Sequence, residues 1–442
     1  MSAFLLIWIG QLISVLASSM SHFALTLWMY EQTRSATAMG LMQVFFITPF
    51  LIMSIPAGVM VDRYNRKLMM MVSDLTAVLA TGLILILYAL GRLEFWHLYI
   101  AAVLNGLGNT FQWPAYSAAI STLVPKEHLG RANGLMSLME AGPAVLAPTL
   151  AGALYPIIGL TGLLTLDVLT FFLAIAALAF VIVPQPITPN ENVSQEDNLL
   201  QEALWGFRYI FARPSLLGMQ LLFLVGNLFA GMIFTLFPPA ILARSNQNAL
   251  LYGSLQTIGA LGNIAGGVLM SIWGGLRRRA HGVIFGWMLS GIFLFSAGLW
   301  GSKQNWLMLS IAFFLADLVS PLINASNQAL WQAKVAPHIQ GRVFSARRLI
   351  AWFTQPIAPI IAGTLADLVA EPLMSHPDRA PSMLLRLFGY GPGTGMSLLI
   401  VLFSFGIILT AITAFFIPTL READTLLPDH EYLPGEQIPT EA

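Results

Sequence analysis

Apolar runs long enough to cross a bilayer recur from Phe4 to Phe416, and most joints between them are only a few residues long. A helix that spans the hydrocarbon core needs about 20 apolar residues. Read in order, the runs predict spans at 3–30, 36–61, 68–90, 96–123, 132–158 and 161–183, then at 214–242, 250–274, 281–301, 305–334, 343–369 and 394–417. The sixth and seventh spans are separated by a polar, proline-rich stretch at 184–198. Leu199, Leu200, Ala203, Leu204, Phe207, Ile210 and Phe211 then recur at helical spacing, in a segment too polar to cross and suited to lying in the interface. A Pro- and Gly-rich loop is expected at 371–393, and the acidic tail from Arg421 reads as disordered. Charged residues make up 10% of the chain and hydrophobic ones 57%, where a soluble domain carries roughly 25% charged residues. The expectation is an all-α integral membrane protein of about twelve spans that leaves little for a soluble domain.

Charge sets the orientation. With the N-terminus inside, the cytoplasmic loops and span ends hold fifteen Lys and Arg residues against six on the other side, and cytoplasmic segments carry the excess. Both termini are therefore expected inside. Arg347 and Arg348 enter this count on the cytoplasmic side, and no basic residue is expected near the centre of a span. The formal net charge of zero gives nucleic acid nothing to attract it. The absence of cysteine excludes disulfides and thiolate metal sites. The start lacks a basic segment and its apolar run is too long for a signal peptide, so the first span is expected to be retained.

The chain repeats itself. Val124 to Arg131 matches Val335 to Arg342 at an offset of 211, and Ala147-Pro148-Thr-Leu-Ala151-Gly152 matches Ala358-Pro359-Ile-Ile-Ala362-Gly363 at the same offset. Two parallel six-helix bundles follow, at 1–183 and 214–417, joined by a cytoplasmic linker at 184–213 and followed by a tail at 418–442. Such repeats place a substrate site between the halves near the midplane.

The densest charge in the first half is the loop between the second and third spans, Gly58-Val-Met-Val-Asp62-Arg63-Tyr64-Asn65-Arg66-Lys67. Topology accounts for its bases but not for Gly58 and Asp62. A glycine lets helices approach closely, and a carboxylate is stabilised at the N-terminus of another helix. The pattern Gly, three residues, Asp-Arg, two residues, two bases resembles the signature of the major facilitator superfamily, and the resemblance covers residues 3–417. Gly267 with Arg277, Arg278 and Arg279 is a degenerate second copy without the acid. Phe23-Ala24-Leu25, Ser73-Asp74, Pro114-Ala115, Arg131-Ala132-Asn133 and Gly341-Arg342-Val343-Phe344-Ser345 are similar to the macrolide-efflux and enterobactin-exporter branch. The resemblance implies the major facilitator fold, two pseudo-symmetric bundles that transport by alternating access. It also implies a cytoplasmic latch of Gly58, Asp62, Arg63, Arg66 and Lys67 against the eleventh span, with Arg342 as a second partner of Asp62. Two departures stand out. The arginine that drug/proton antiporters carry four residues before a glycine in the fourth span is Ala102, before Gly106. The fifth-span Gly-Pro motif survives only as Gly142-Pro143, Ala147-Pro148 and Gly152.

Ionisable groups inside spans are costly and default to functional candidates. Glu140 lies about 13 Å past Arg131, and Asp317 is central in the tenth span. Neither has a base at its depth, so either could carry a proton across, or simply stay protonated and hydrogen-bonded. Asp74, Asp167 and Asp367 lie nearer span ends and suit helix-end and packing roles. Polar stripes at steps of three or four mark the first span (Gln11, Ser14, Ser18, His22), the fourth (Asn105, Asn109, Gln112, Tyr116) and the tenth (Asp317, Pro321, Asn324, Gln328). Asn227 in the seventh span and Gln256 in the eighth add to them, with Trp113, Tyr116, Phe234 and Trp331 nearby. Stripes of this kind face protein or water rather than lipid. They are expected to line the cavity, although hydrogen bonding between helices would explain them too. Such a cavity suits a bulky, partly apolar, neutral or cationic ligand rather than a polyanion.

The expectation is a secondary transporter of the bacterial cytoplasmic membrane, a monomer that exports a macrolide-like hydrophobic molecule against protons. Small molecule, protons and bilayer are its partners; no cofactor, metal or enzymatic activity is expected. A siderophore or lysophospholipid is the alternative cargo, the latter requiring a polar-lined gap between spans 2 and 11 or 5 and 8. A non-transporting membrane sensor is the alternative outside transport.

Overall fold

A span can leave the bilayer only where its free backbone groups find partners, and those partners define the elements of the computed structural model. It describes residues 2–63, 65–124, 129–181, 199–336, 339–378 and 380–426. Among them all regular structure is helical. The first half holds α1 (Ser2–Thr33), α2 (Ala36–Arg63), α3 (Arg66–Ala89), α4 (Phe95–Leu123) and α5 (Leu129–Phe180). The side chain of Asn65 caps α3 by accepting from the Leu68 amide. The fifth and sixth spans form the single element α5, broken at Gly159, whose φ of 63° and ψ of −173° suit a residue without Cβ. After α6 (Leu199–Phe211), the segment expected to lie in the interface, come α7 (Pro214–Arg244), α8 (Ala249–Trp273), α9 (Arg279–Ser302) and α10 (Trp306–Lys334). Asn248 caps α8 and Asn305 caps α10 in the same way.

The eleventh span is not the unbroken helix expected at 343–369. It consists of α11 (Gln340–Trp352), a turn ending at Pro356, α12 (Ile357–Leu365), a π turn (Ala366–Ala370) and α13 (Glu371–Met374). Proline lacks the amide that would continue the helix and clashes with the preceding turn. The expected loop at 371–393 contains α14 (Ser382–Phe388), and α15 (Thr394–Phe416) is the last span. Ten stretches are long and apolar enough to cross a membrane among the described residues. One of them, Ala141–Phe180, contains the Gly159 break and counts twice, and α4 supplies the remaining span, giving twelve.

The tail also departs from expectation. Residues 418–426 form α16 (Pro418–Arg421) and α17 (Ala423–Leu426), with Leu420 and Ala423 buried. Asp424 accepts from the Ala280 amide at 2.9 Å and so caps α9, while the Lys334 ammonium donates to the Asp424 carbonyl. Two apolar contacts and one cap are enough to dock a segment that its acidity alone marked as disordered. Residues 427–442 lie outside the described ones.

Helices of each half pack mainly on one another: α1 on α5, α2 and α3 on α4, then α8 and α9 on α10 and α15 on α7 and α9. The halves meet along two seams, α5 on α8 and α12 on α2. Both lie toward the end that carries residues 34–35, Gly159 and 245–248, here the distal end; the opposite one is the linker end. The two repeated Ala-Pro-x-x-Ala-Gly motifs form these seams. A Cβ on Gly152 would come within 2.6 Å of the Ala249 carbonyl, and one on Gly363 within 2.5 Å of the Thr37 Cα. Gly253 faces the Pro148 carbonyl, and Gly40 faces Pro359. Thr257 adds hydrogen bonds to Thr149 (2.7 Å) and to the Val145 carbonyl (2.6 Å). On the other seam the π turn aims Asp367 at the start of α2. Its carboxylate accepts from Ser35 Oγ (2.5 Å) and from the Ala36 and Thr37 amides (3.0 and 2.9 Å). Asp367 thus has the helix-end role expected for it, at a helix of the other half.

Asp367→Ala removes a helix cap worth about 0.5–2 kcal/mol, which shifts an open–closed equilibrium by roughly 2- to 30-fold toward distal opening. Gly363→Val acts on the same seam sterically. The chain has no cysteine, so spin labels at Glu94→Cys and Lys303→Cys report the distal spacing directly. Both variants are expected to add a longer distance to the distribution. An unchanged distribution in both would mean that the seam does not control the opening.

Candidate functional site

Below the seams the halves separate around two chambers stacked along one face of α10. The upper one, about 460 Å³, lies between α5, α7, α8 and α10. Its walls are apolar and aromatic, with Ala144, Phe234, Phe237 and Tyr252, and its polar groups are Gln256, Asn263 and Asp317. The Asp317 carboxylate sits over Gly259, where any larger residue would strike it. Among the described residues no base faces Asp317. The lower chamber, about 470 Å³, lies toward the linker end and is lined by α2, α7, α10 and α11. Asn227, Asn324 and Gln328 line it, as the polar stripes suggested, together with Gln220 and Asn327.

Arg347 and Arg348 also line the lower chamber; they lie near the start of the span expected at 343–369 rather than at its centre, and they give the chamber fixed positive charge. Arg347 lies less than a turn past Phe344 and one turn before Ala351, both of which line the same chamber. Helical phase therefore turns it inward, while the charge count treated it only as a topology signal. Its guanidinium donates to Gln328 Oε1 at 2.9 Å and lies 5.4 Å from the ring centroids of both Trp331 and Phe344.

The stripe on α1 does not line these chambers. Gln11 donates to Asp74 at 2.9 Å, and Gln112 donates to the same carboxylate at 3.0 Å and to Gln11 at 3.1 Å. Ser18 and Thr81 donate to Asp167 at 2.8 and 3.2 Å. Asp74 and Asp167 are only 4% and 2% exposed, and buried carboxylates need such donors. The polar faces of α1 and α4 thus hold two acids inside the first half. Tyr116 is buried against Phe4, at 6.5 Å between ring centroids, so its assignment to the cavity wall is corrected to the bundle interior. His22 and Asn109 are exposed and Asn105 is partly exposed.

Lys67 donates to the Ala179 and Val181 carbonyls, both at 2.8 Å. It ties α3 to the end of the sixth span within its own half. The side chains of Gly58, Asp62, Arg63, Arg66 and Arg342, and of Glu140 and Trp113, lie outside the described residues. Among the described residues, no three His, Asp or Glu side chains come together as metal ligands would.

The sequence model of the "Major Facilitator Superfamily" matches residues 7–359. Macrolide efflux protein A of Streptococcus pyogenes is 26% identical over 367 residues, 82% of this chain and 89% of that protein. Enterobactin exporter EntS of Citrobacter koseri is 25% identical over 361 residues, 77% of this chain and 80% of that one. Among solved structures, a bacterial homologue of the human lysosomal transporter Spinster, inward-facing and unoccupied, superposes with a TM-score of 0.68 at 15% identity, covering 95% of this chain and 96% of its own. The nucleoside transporter NupG gives 0.70 at 11% identity, over 94% of this chain and 100% of its own.

Asp167→Ala leaves two hydroxyls without an acceptor and is expected to destabilise the first half by about 1–3 kcal/mol. Melting in detergent, followed by tryptophan fluorescence, should fall by several degrees. Asp167→Asn, which keeps an acceptor, should lose less. Equal melting of wild type and Asp167→Ala would mean that the Ser18 and Thr81 bonds contribute nothing.

Proposed function

The chain belongs to the major facilitator superfamily, and on that premise we propose that it exports a hydrophobic small molecule of the macrolide-like kind in exchange for protons. It is a multi-pass membrane transporter and not an enzyme. The observation that carries the finer reading is the upper chamber. It is a drug-sized hollow between the halves, with aromatic walls and one carboxylate, Asp317, that no base neutralises among the described residues. An apolar cargo fills the walls, and a proton on Asp317 removes the cost of a buried charge. Glu140 is proposed as the second coupling acid.

In this reading the two bundles move as bodies about the substrate, with both termini in the cytoplasm. The closed distal seams correspond to a cytoplasm-facing state that loads cargo. Gly58, Asp62, Arg63, Arg66 and Arg342 form the opposing latch on the cytoplasmic face, with Asp62 at the N-terminus of α11. An amphiphile such as a siderophore or lysophospholipid is the second reading, supported by an upper chamber in which aromatic walls meet the polar side chains of Gln256, Asn263 and Asp317; the lateral gap that a lipid needs is closed where α5 meets α8 and α12 meets α2.

Reconstituted protein should drive uptake of a radiolabelled macrolide into inverted vesicles only when a proton gradient is imposed. Asp317→Asn and Glu140→Gln should each abolish the gradient-dependent part, and Asp62→Asn should slow transport while leaving insertion intact. Full gradient-driven transport in both acid variants would remove these acids from coupling, and an unchanged rate in Asp62→Asn would remove the latch.

A further inference from the structure

The lower chamber holds a set of polar groups that the transport of an apolar molecule does not use. Gln220 and Asn327 are 1% and 3% exposed. Gln220 spends its amide nitrogen on the Arg347 carbonyl at 3.0 Å, which leaves Gln220 Oε1 buried without a partner. Asn327 Oδ1 and one terminal nitrogen of Arg347, Nη1, are likewise buried without a partner. Two of these atoms are acceptors and one is a donor, and the three residues that carry them line one hollow from α7, α10 and α11. Arg348 lines the same hollow. No carboxylate lines it among the described residues.

We propose that the lower chamber is a recognition site for the oxyanion of an amphiphilic small molecule, with the Arg347 guanidinium as its principal contact. The ring faces of Trp331 and Phe344 and the bond to Gln328 hold the guanidinium in one orientation. A planar fork fixed in this way matches two in-plane oxygens of a carboxylate better than it matches a neutral group. Arg348 adds positive field. Asn327 can turn its amide nitrogen to donate to the bound oxyanion, while Gln220 keeps its bond to the Arg347 carbonyl and holds α11 in place. Asp317 and Asn324 are seven residues apart on α10, about 10 Å along the axis and on the same face. A molecule with an apolar body in the upper chamber can therefore place an acidic group in the lower one. The inference rests on the transport reading and names a chemical group in its substrate.

Equilibrium binding tests the site without requiring transport. Purified full-length protein in detergent is titrated calorimetrically with 2-naphthoate, its neutral counterpart 2-naphthylmethanol, and inorganic phosphate. Wild type should bind naphthoate at least 10-fold more tightly than the alcohol, with phosphate weaker than both. Arg347→Gln should remove that preference while keeping affinity for the alcohol, Arg347→Lys should retain part of it, and Arg348→Gln should reduce it only a few-fold. Equal affinity of wild type for naphthoate and the alcohol overturns the proposal, even if Arg347→Gln fails to fold. So does phosphate binding as tight as naphthoate, which identifies a free-ion site. In nanodiscs, loss of naphthoate binding on replacing phosphatidylcholine by phosphatidylglycerol assigns the site to a lipid headgroup and overturns it as well. Intact naphthoate selectivity without proton-driven macrolide transport would instead count against the export reading alone.

Discussion

Two glycine-lined seams, α5 against α8 and α12 against α2, are where the halves of this protein touch most closely. Lipid tails are as apolar as leucine, so helices in a bilayer gain little from burying one another's side chains. They associate where small residues let backbones approach. The repeated Ala-Pro-x-x-Ala-Gly motif supplies that approach once in each half, at Gly152 and at Gly363. Both chambers lie on the linker side of these contacts. Asp367 adds a directional element, because its cap on α2 requires the seam to be closed.

The remaining buried carboxylates follow the same logic of internal satisfaction. Asp74 and Asp167 sit inside the first half among amide and hydroxyl donors from α1, α3 and α4. Glu371 accepts from the Gly393 and Met396 amides and so caps α15, as Asp424 caps α9. Asp317 differs from all of these, since it faces a hollow instead of a donor set. Among the described residues the contrast separates acids held by donors within the fold from one that faces a hollow.

Much of this was legible in the sequence. Length and polarity of the apolar runs located the spans to within a few residues. The shared offset of 211 picks out the two segments that form the seams, but a repeat shows kinship between the halves and not that its copies are contact surfaces. Asp317, Gln256, Asn227, Asn324 and Gln328 were chosen from polar spacing and all line a chamber. Gln11, Ser18 and Tyr116 share that spacing and instead lie within the first half. Spacing shows that a helix has a polar face, but the rotation of that face within the bundle depends on neighbours far away in the chain. The inward turn of Arg347 was missed for a related reason: a base near a helix end satisfies the charge rule whether it points to water or to a cavity. Pro356 signals the break in the eleventh span, but the apolar residues that flank it read as one continuous run.

The distal closure consists of van der Waals contact between backbones, threonine hydroxyl bonds and one carboxylate set on helix amides. Salt screens exposed charge pairs over a Debye length of about 8 Å at physiological ionic strength, and of these contacts only the part-buried carboxylate on the α2 amides is open to that screening. A gate built from opposed lysines and glutamates would loosen in brine and tighten in fresh water. This one rests mainly on contacts that need no exposed ion pair, so the spacing of α5 from α8 and of α2 from α12 depends little on the salt around it.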